Sequence, residues 1–172
     1  MRLTDDEWES KLGAFRSSAF RLEVQQTYAM ADEQEDLDSF LSGATRPDGY
    51  NEEWCEFVRG VTTGGRTMQR VKLVQRPYTD YTRFVMGWAV PANVAAGEDY
   101  RIVDLSSGVS SPLPGQDFWL FDDEQVIHLD FDAGGVLLGI ELVEQPDLDH
   151  YRRLRDLGLR LGTRFRDWHA GA

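Results

Sequence analysis

Two very short connections in the second half of the sequence constrain the fold more than any other feature. They are residues 122–124 and 132–135, and both are rich in Asp, Glu or Gly. Such a connection forces the strands it joins to run antiparallel, because a parallel crossover needs about a dozen residues or more. The second half is therefore predicted to be a meander. Its predicted strands are residues 100–105, 117–121, 125–131 and 136–143.

The first half is predicted to be mainly helical. Apolar spacing predicts helices from the N-caps Thr4, Asn51 and Thr79, and another over residues 31–41. Pro91 is expected to end the helix that Thr79 begins. Residues 93–97 are then predicted to form a turn, residues 68–75 a strand and residues 20–28 extended structure.

The last segment is predicted to be an amphipathic helix capped by Asp147. We expect its apolar face to pack on the sheet and leave its arginines in water. The apolar face comprises Tyr151, Leu154, Leu157, Leu161, Phe165 and Trp168. The basic face comprises Arg152, Arg153, Arg160 and Arg164.

These elements predict a single α+β domain over residues 1–172. Its core would be an antiparallel sheet of about five strands, covered by N-terminal helices and by the C-terminal amphipathic helix. Hydrophobic residues make up 41% of the chain, which is enough to bury a core at this length.

Composition limits the partners and the compartment. A net charge of −12 opposes strong direct binding to nucleic acid or to a membrane surface. The only cysteine, Cys55, excludes an internal disulfide and suits a reducing compartment. The sequence begins without a signal peptide pattern and has no apolar run of about 18 residues, so we expect a cytoplasmic protein.

Basic residues are concentrated in two segments, 66–83 and 152–166, of an otherwise acidic chain. The ordinary interpretation is that opposite charges neutralise one another within the fold. The alternative is that the two segments converge into one recognition surface. The sequence leaves this question open.

Several residues are candidates for binding, although no motif predicts catalysis, a metal site or a cofactor. Arginine binds phosphate without a motif, and clustered carboxylates can act through a metal, but acids at hairpin ends are usually solvated. No glycine-rich phosphate loop is present. The candidate binding residues are Arg66, Arg70, Arg83, Glu98, Arg101, Asp117, Trp119 and Asp122.

Six sequence strings carry a resemblance to a known family. They are FRLE (20–23) with Tyr28, the helix around Trp54, RVKLV (70–74), DYTRF (80–84), ANVAAGEDYRIVD (92–104) and DFWLFDD (117–123). Together they resemble a bacterial family of domains of unknown function encoded beside helix-turn-helix regulators of the XRE type, as at WhiJ-like loci. The similarity covers about residues 15–168.

The resemblance implies a protein that works with a helix-turn-helix regulator, so the first hypothesis is a non-enzymatic interaction protein. An acidic surface favours a basic protein partner. The alternative is a metal-dependent phosphodiesterase or nuclease-like enzyme that uses Asp117, Asp122 or Glu98. A second alternative is a small-ligand sensor with a pocket formed by some of Trp54, Trp88 and Trp119.

Overall fold

The computed structural model describes residues 1–106, 108 and 111–168, and its helices begin largely where the sequence supplies caps. Thr4 and Glu7 form a reciprocal capping box, and Thr79 and Asp147 also accept hydrogen bonds from backbone N–H groups of their helices. The helices are α1 (Asp5–Ala14), α2 (Gln34–Leu41), α3 (Glu52–Thr63), α4 (Asp80–Gly87), α5 (Ala89–Ala96) and α6 (Leu148–Leu161), with a 3-10 turn at Ala31–Glu33 before α2.

The strands form one mixed sheet in the order β6-β5-β4-β1-β2-β3-β7. They are β1 (Ser18–Glu23), β2 (Thr67–Val74), β3 (Asp99–Asp104), β4 (Asp117–Phe121), β5 (Gln125–Phe131), β6 (Leu137–Leu142) and β7 (Thr163–Arg164). The α+β class and the meander over β4–β6 are confirmed.

The prediction of a wholly antiparallel sheet of about five strands is wrong. The sheet has seven strands, and β1–β2 and β2–β3 are parallel pairs. The connection from β1 to β2 contains α2 and α3, and the connection from β2 to β3 contains α4 and α5. Helical crossovers of this length permit parallel neighbours, whereas the short turns that guided the prediction occur only around β4–β6. As a result β3 lies away from β4, on the far side of β1 and β2.

Two local helix predictions are also corrected. Asn51 precedes α3 but makes no capping bond, because its backbone is left-handed and its side chain donates to Asn93 Oδ1 at 2.7 Å. Pro91 does not end a helix. It lies in the first turn of α5, where a missing N–H costs no intrahelical bond, and residues 93–96 are helical rather than a turn.

The sheet has a helical layer on each face. On one face Leu154 of α6 packs with Phe20, Leu22 and Val71. On the other, Val58 and Val61 of α3 pack with strand residues, and Trp8 and Leu12 of α1 join the same cluster. Charged residues that alternate with Leu22 and Val71 therefore lie beneath α1 and α3 rather than in open water.

The C-terminal helix ends before the last two residues of the apolar face predicted for it. It ends at Leu161, which is 44% exposed, and Phe165 and Trp168 lie beyond it in a separate cluster with Tyr100 and Val74. Among the described residues no helix is both long enough and apolar enough to span a bilayer.

Candidate functional site

Four charged side chains share one face of the two central strands. Arg21 and Glu23 on β1 alternate with Phe20 and Leu22, and Arg70 and Lys72 on β2 alternate with apolar residues in the same way. The parallel register places Arg21 opposite Arg70 and Glu23 opposite Lys72. Backbone pairing therefore brings three cations and a carboxylate together.

Arg21 and Arg70 form a row of two arginines across β1 and β2, and an aromatic residue lies at each end of this arginine row. Trp119 on β4 is opposite Arg21, and Tyr100 on β3 is opposite Arg70. The guanidinium carbon of Arg70 lies 5.6 Å from the centre of the Tyr100 ring and 5.7 Å from that of Trp119. These separations allow cation–π attraction between Arg70 and each of the two rings.

Glu23 is the central acceptor of the charged cluster. Arg70 Nη1 donates to Glu23 Oε1 at 2.6 Å, and Tyr100 OH donates to Oε2 at 3.2 Å. Lys72 Nζ lies 3.6 Å from Oε2 and Arg21 Nε 3.9 Å from Oε1. Burial alone would raise the pKa of Glu23, but the charges of Arg70, Lys72 and Arg21 outweigh it and hold the pKa at about 2. Glu23 is therefore ionised throughout the physiological range.

Asp117 supports the opposite side of the cluster. Its Oδ2 accepts hydrogen bonds from Arg21 Nη2 at 2.7 Å and from Tyr28 OH at 2.6 Å, and its Oδ1 accepts from Val24 N at 3.2 Å. Burial raises the pKa of Asp117 despite these donors. The contacts fix the guanidinium group of Arg21 on the sheet.

Glu98 holds the far side of Arg70. Its Oε1 accepts from Arg70 Nε at 2.8 Å, and its side chain is fully buried. Gly97, with φ +117°, ends α5 and turns the chain towards Glu98. An added Cβ there would lie 2.9 Å from Thr62 Oγ1, so glycine permits both the turn and the close approach to α3.

A cavity of about 330 Å³ lies above these charges, between the sheet and the helices. Its charged floor includes Arg21, Glu23, Arg70 and Lys72. The surrounding side chains come from α1, α3, α4, α5 and neighbouring segments. They include aromatic rings and the side-chain amide groups of asparagines. They include Trp8, Leu12, Glu33, Asn51, Trp54, Tyr81, Val85, Asn93, Tyr100 and Trp119.

Burial shifts the pKa values of two ionisable residues in this cavity. Burial lowers the pKa of Lys72, with Glu23 opposing the shift, and raises the pKa of Glu33. Glu33 Oε2 accepts a hydrogen bond from Tyr81 OH at 2.8 Å. Perturbed groups that converge on a cavity are typical of functional sites.

Two polar atoms of the cluster have no hydrogen-bond partner among the described residues. They are Arg21 Nη1 and Glu98 Oε2, and both are buried. Buried polar atoms normally have partners, so these two unpaired atoms are exceptions that need a physical explanation. Arg21 lines the cavity, whereas Glu98 lines a second depression next to Arg164 and Arg166.

The structure gathers four of the eight candidate residues at this cluster. Arg70 and Trp119 line the cavity, and Asp117 and Glu98 hold its arginines. Trp54 also lines it. Trp88 lies elsewhere, packed against Phe40, Tyr50 and Phe84.

The other four candidates lie apart. Arg66 donates to the carbonyl of Phe15, Arg83 pairs with Asp80 on the surface, and Arg101 pairs with Asp99. The carboxylate of Asp122 accepts hydrogen bonds from the backbone N–H groups of residues 16, 17 and 18. None of these four residues is part of the lining of the cavity.

The two basic segments do not meet at the arginine row. Arg70 lies on the cavity face of the sheet, while neighbouring Val71 packs with Leu154 of α6 on the opposite face. On α6, Arg152 donates to the carbonyl of Asp123 and Arg155 pairs with its carboxylate. Local neutralisation therefore accounts for much of the charge pattern.

Carboxylates for a shared metal site are not assembled either. Asp117 begins β4, and Asp122 follows its other end. Within residues 1–106, 108 and 111–168, no group of three or more His, Cys, Asp or Glu is placed to hold a metal ion.

Sequence reasoning missed Arg21, Glu23, Lys72, Tyr28 and Trp8 as site residues. The available signal was the alternation of charged and apolar residues in FRLE and RVKLV, which puts the charges of each strand on one face. That alternation is ordinarily explained by a solvated sheet face, and here helices cover the face.

A family model described as "Domain of unknown function (DUF6879)" matches residues 6–170. No curated protein matches the chain.

Proposed function

We propose that this chain, which belongs to the DUF6879 family of domains of unknown function, is a small-molecule-binding protein whose ligand occupies the cavity above the sheet. One observation carries the proposal. Arg21 lines the floor of the cavity, is only 4% exposed, and has an Nη1 atom without a partner among the described residues. A bound ligand would supply the missing acceptor.

The composition of the cavity supports binding. Sites for small organic ligands combine apolar and aromatic walls with a few fixed polar groups. Trp8 and Trp54 are half-buried beside the cavity, and the charged floor is held by hydrogen bonds. A protein in which apolar residues of similar volume replace a buried ion cluster is often as stable as the original. Stability therefore does not require such a cluster, and its position beside a cavity favours a functional role.

The contacts of the carboxylates favour binding over catalysis. Glu23 and Asp117 each accept from several donors, which suits them to hold the cations in place. Asp117 and Asp122 also lie too far along β4 from each other for the metal-dependent hydrolysis considered from the sequence.

A ligand screen tests the proposal. Tryptophan emission and the thermal midpoint Tm would be followed during titration with a metabolite panel. We expect at least one compound to change both, and Trp54→Ala to reduce its affinity. Trp88→Phe, outside the cavity, is the matched control and should keep wild-type affinity. A broad panel that leaves the emission and Tm of the wild-type chain unchanged would count against a ligand-binding role.

We further propose that the chain works with a helix-turn-helix regulator, as the resemblance implies. The net charge of −12 supports this idea, because DNA-binding proteins present basic surfaces that an acidic partner complements. Co-purification with a helix-turn-helix regulator of the XRE type at low salt should recover a complex that weakens as salt is raised. Failure to recover it at low salt would remove the basis for this role.

A further inference from the structure

We infer that the ligand of the cavity is an uncharged planar heterocycle with a carbonyl or ring-nitrogen acceptor that binds Arg21 Nη1. This inference rests on the proposed ligand-binding function and specifies its ligand class. Its physical basis is the combination of a charge-balanced floor, one unused donor and aromatic walls.

The formal charges of the floor and of the two carboxylates that hold its arginines already cancel. Three cations, Arg21, Arg70 and Lys72, face three carboxylates, and each arginine makes a close ion pair. The carboxylates are Glu23, Glu98 and Asp117. An anionic ligand would add a buried charge without compensation, and a cationic ligand would lie beside the three cations of the floor, so both are opposed.

The surroundings of the floor do not favour an anion. The lining contains one further carboxylic acid, Glu33, and its hydrogen-bond donor is the uncharged Tyr81. The positive charge of Arg21 is already shared between Asp117 and Glu23. A phosphate or carboxylate would therefore add negative charge next to carboxylates.

The unused atom defines the complementary ligand group. Arg21 Nη1 carries N–H donors and cannot accept, so its partner must present a lone pair. A neutral carbonyl oxygen or ring nitrogen supplies one without disturbing the charge balance. The Asn51–Asn93 pair in the same lining adds side-chain amides that can bind the polar edge of a heterocycle.

The aromatic lining favours a flat ligand. Trp8, Trp54 and Trp119 all line the cavity, and Trp8 and Trp119 contact one another with ring centres 5.8 Å apart. Stacking on such rings requires a π-face but no charge. The volume of about 330 Å³ is at the small end of the range for ligand sites, which limits the ligand to a compact ring system.

Matched pairs of probes test the ligand class by isothermal titration calorimetry. Inosine, thymidine and lumichrome are uncharged, and each contains a planar heterocycle that bears carbonyl groups. Inosine monophosphate and thymidine monophosphate are the charged counterparts of the first two. We expect at least one uncharged probe to bind, and a phosphorylated counterpart to bind at least about tenfold more weakly.

Variants link the binding to the site. Trp54→Ala should lower the affinity for the uncharged probe by about tenfold, because one stacking surface is removed. Arg21→Lys retains the charge but loses the guanidinium geometry, and it should also weaken binding. Arg83→Gln, which removes an arginine outside the cavity, should bind as wild type does. Circular dichroism would show that each variant is folded, and Trp54→Ala keeps the test valid if Arg21→Lys does not fold.

The outcomes separate the ligand class from the proposed function. Tighter binding of a phosphorylated probe would overturn the uncharged class while leaving a small-molecule site. The class would be equally wrong if the broad metabolite panel produced a charged or non-planar ligand whose affinity depends on Trp54. Failure of both sets of compounds would overturn the class and the function together.

Discussion

Arg21 and Arg70 lie opposite one another across the parallel pair β1–β2, and one carboxylate, Glu23, contacts both guanidinium groups. Two like charges so placed would repel one another without a shared counter-ion. Glu23 is also within ion-pair distance of Lys72. Glu23 is therefore the carboxylate that links all three cations of this face of the sheet.

Replacing Glu23 by Gln is expected to destabilise the protein strongly. The change keeps the size of the side chain but leaves three buried cations without their common counter-ion, at a cost of roughly 3–5 kcal/mol. Urea denaturation at pH 7 would measure the free energy of unfolding. The control is Glu56→Gln, an exposed position on α3, which should change it by less than about 0.5 kcal/mol. Equal stability of the two variants would contradict the role given to Glu23.

The stability of the protein should fall in acid through Asp122. Burial opposes ionisation of this carboxyl, but backbone N–H groups of residues 16–18 lower its pKa from 3.8 to about 2. The folded state therefore binds fewer protons than the unfolded state between these values. The contribution of Asp122 is complete above pH 3.8 and is lost as the pH falls towards 2.

Asp122→Asn should flatten that part of the pH profile. Asn tolerates the left-handed backbone at this position, where φ is +54°, and keeps one oxygen acceptor but does not titrate. Denaturation from pH 5 to pH 2 would compare it with Asp48→Asn, a change on an exposed loop that should keep the wild-type slope. Parallel profiles for wild type and Asp122→Asn would refute the assignment.

Gly135 is expected to tolerate no side chain. Its φ is +83°, and an added Cβ would lie 2.3 Å from the carbonyl oxygen of Thr27. Gly135→Ala should cost roughly 2–5 kcal/mol, from the left-handed backbone together with the displacement of neighbouring backbone. Gly43→Ala shares a positive φ of +85° but meets no atom within 4 Å, so it should cost only about 1–2 kcal/mol. Thermal or urea unfolding would measure the difference, and similar losses would argue against the close approach.

Gly158 should behave in the opposite way. It lies within α6 where that helix crosses β2, and an added Cβ would be 3.5 Å from Val71 Cγ2, an ordinary contact. Gly158→Ala is therefore expected to stabilise the protein by about 0.5–1 kcal/mol, because alanine is the better helix former. The bulkier Gly158→Leu has no room beside Val71 and should destabilise it. Stability measurements that show Gly158→Ala to be destabilising would mean that α6 packs more closely on the sheet.

The local elements of the fold were predictable because local interactions specify them. The caps at Thr4, Thr79 and Asp147 depend on hydrogen bonds within one turn. The hairpins of β4–β6 depend on turns of a few residues. Pro91 misled the prediction, since proline is compatible with the first turn of a helix as well as with its end.

Four residues of the candidate site were also within reach of the sequence. Arg70, Glu98, Asp117 and Trp119 were named as binding candidates and now lie in one cluster, although their binding role stays a prediction. The partnership with a regulator, the cytoplasmic location and the single-domain extent over residues 1–172 likewise stay predictions.

The sequence by itself determined where most of the helices and strands form, and that the charged residues within β1, like those within β2, lie on one side of their own strand. Only the tertiary structure decided that these strands are parallel neighbours and that helices cover their charged face. The physical reason is that period-two alternation specifies a side of one strand, whereas strand order and the layer packed above it depend on contacts between distant segments. Arg21 and Arg70 became one site through that long-range pairing.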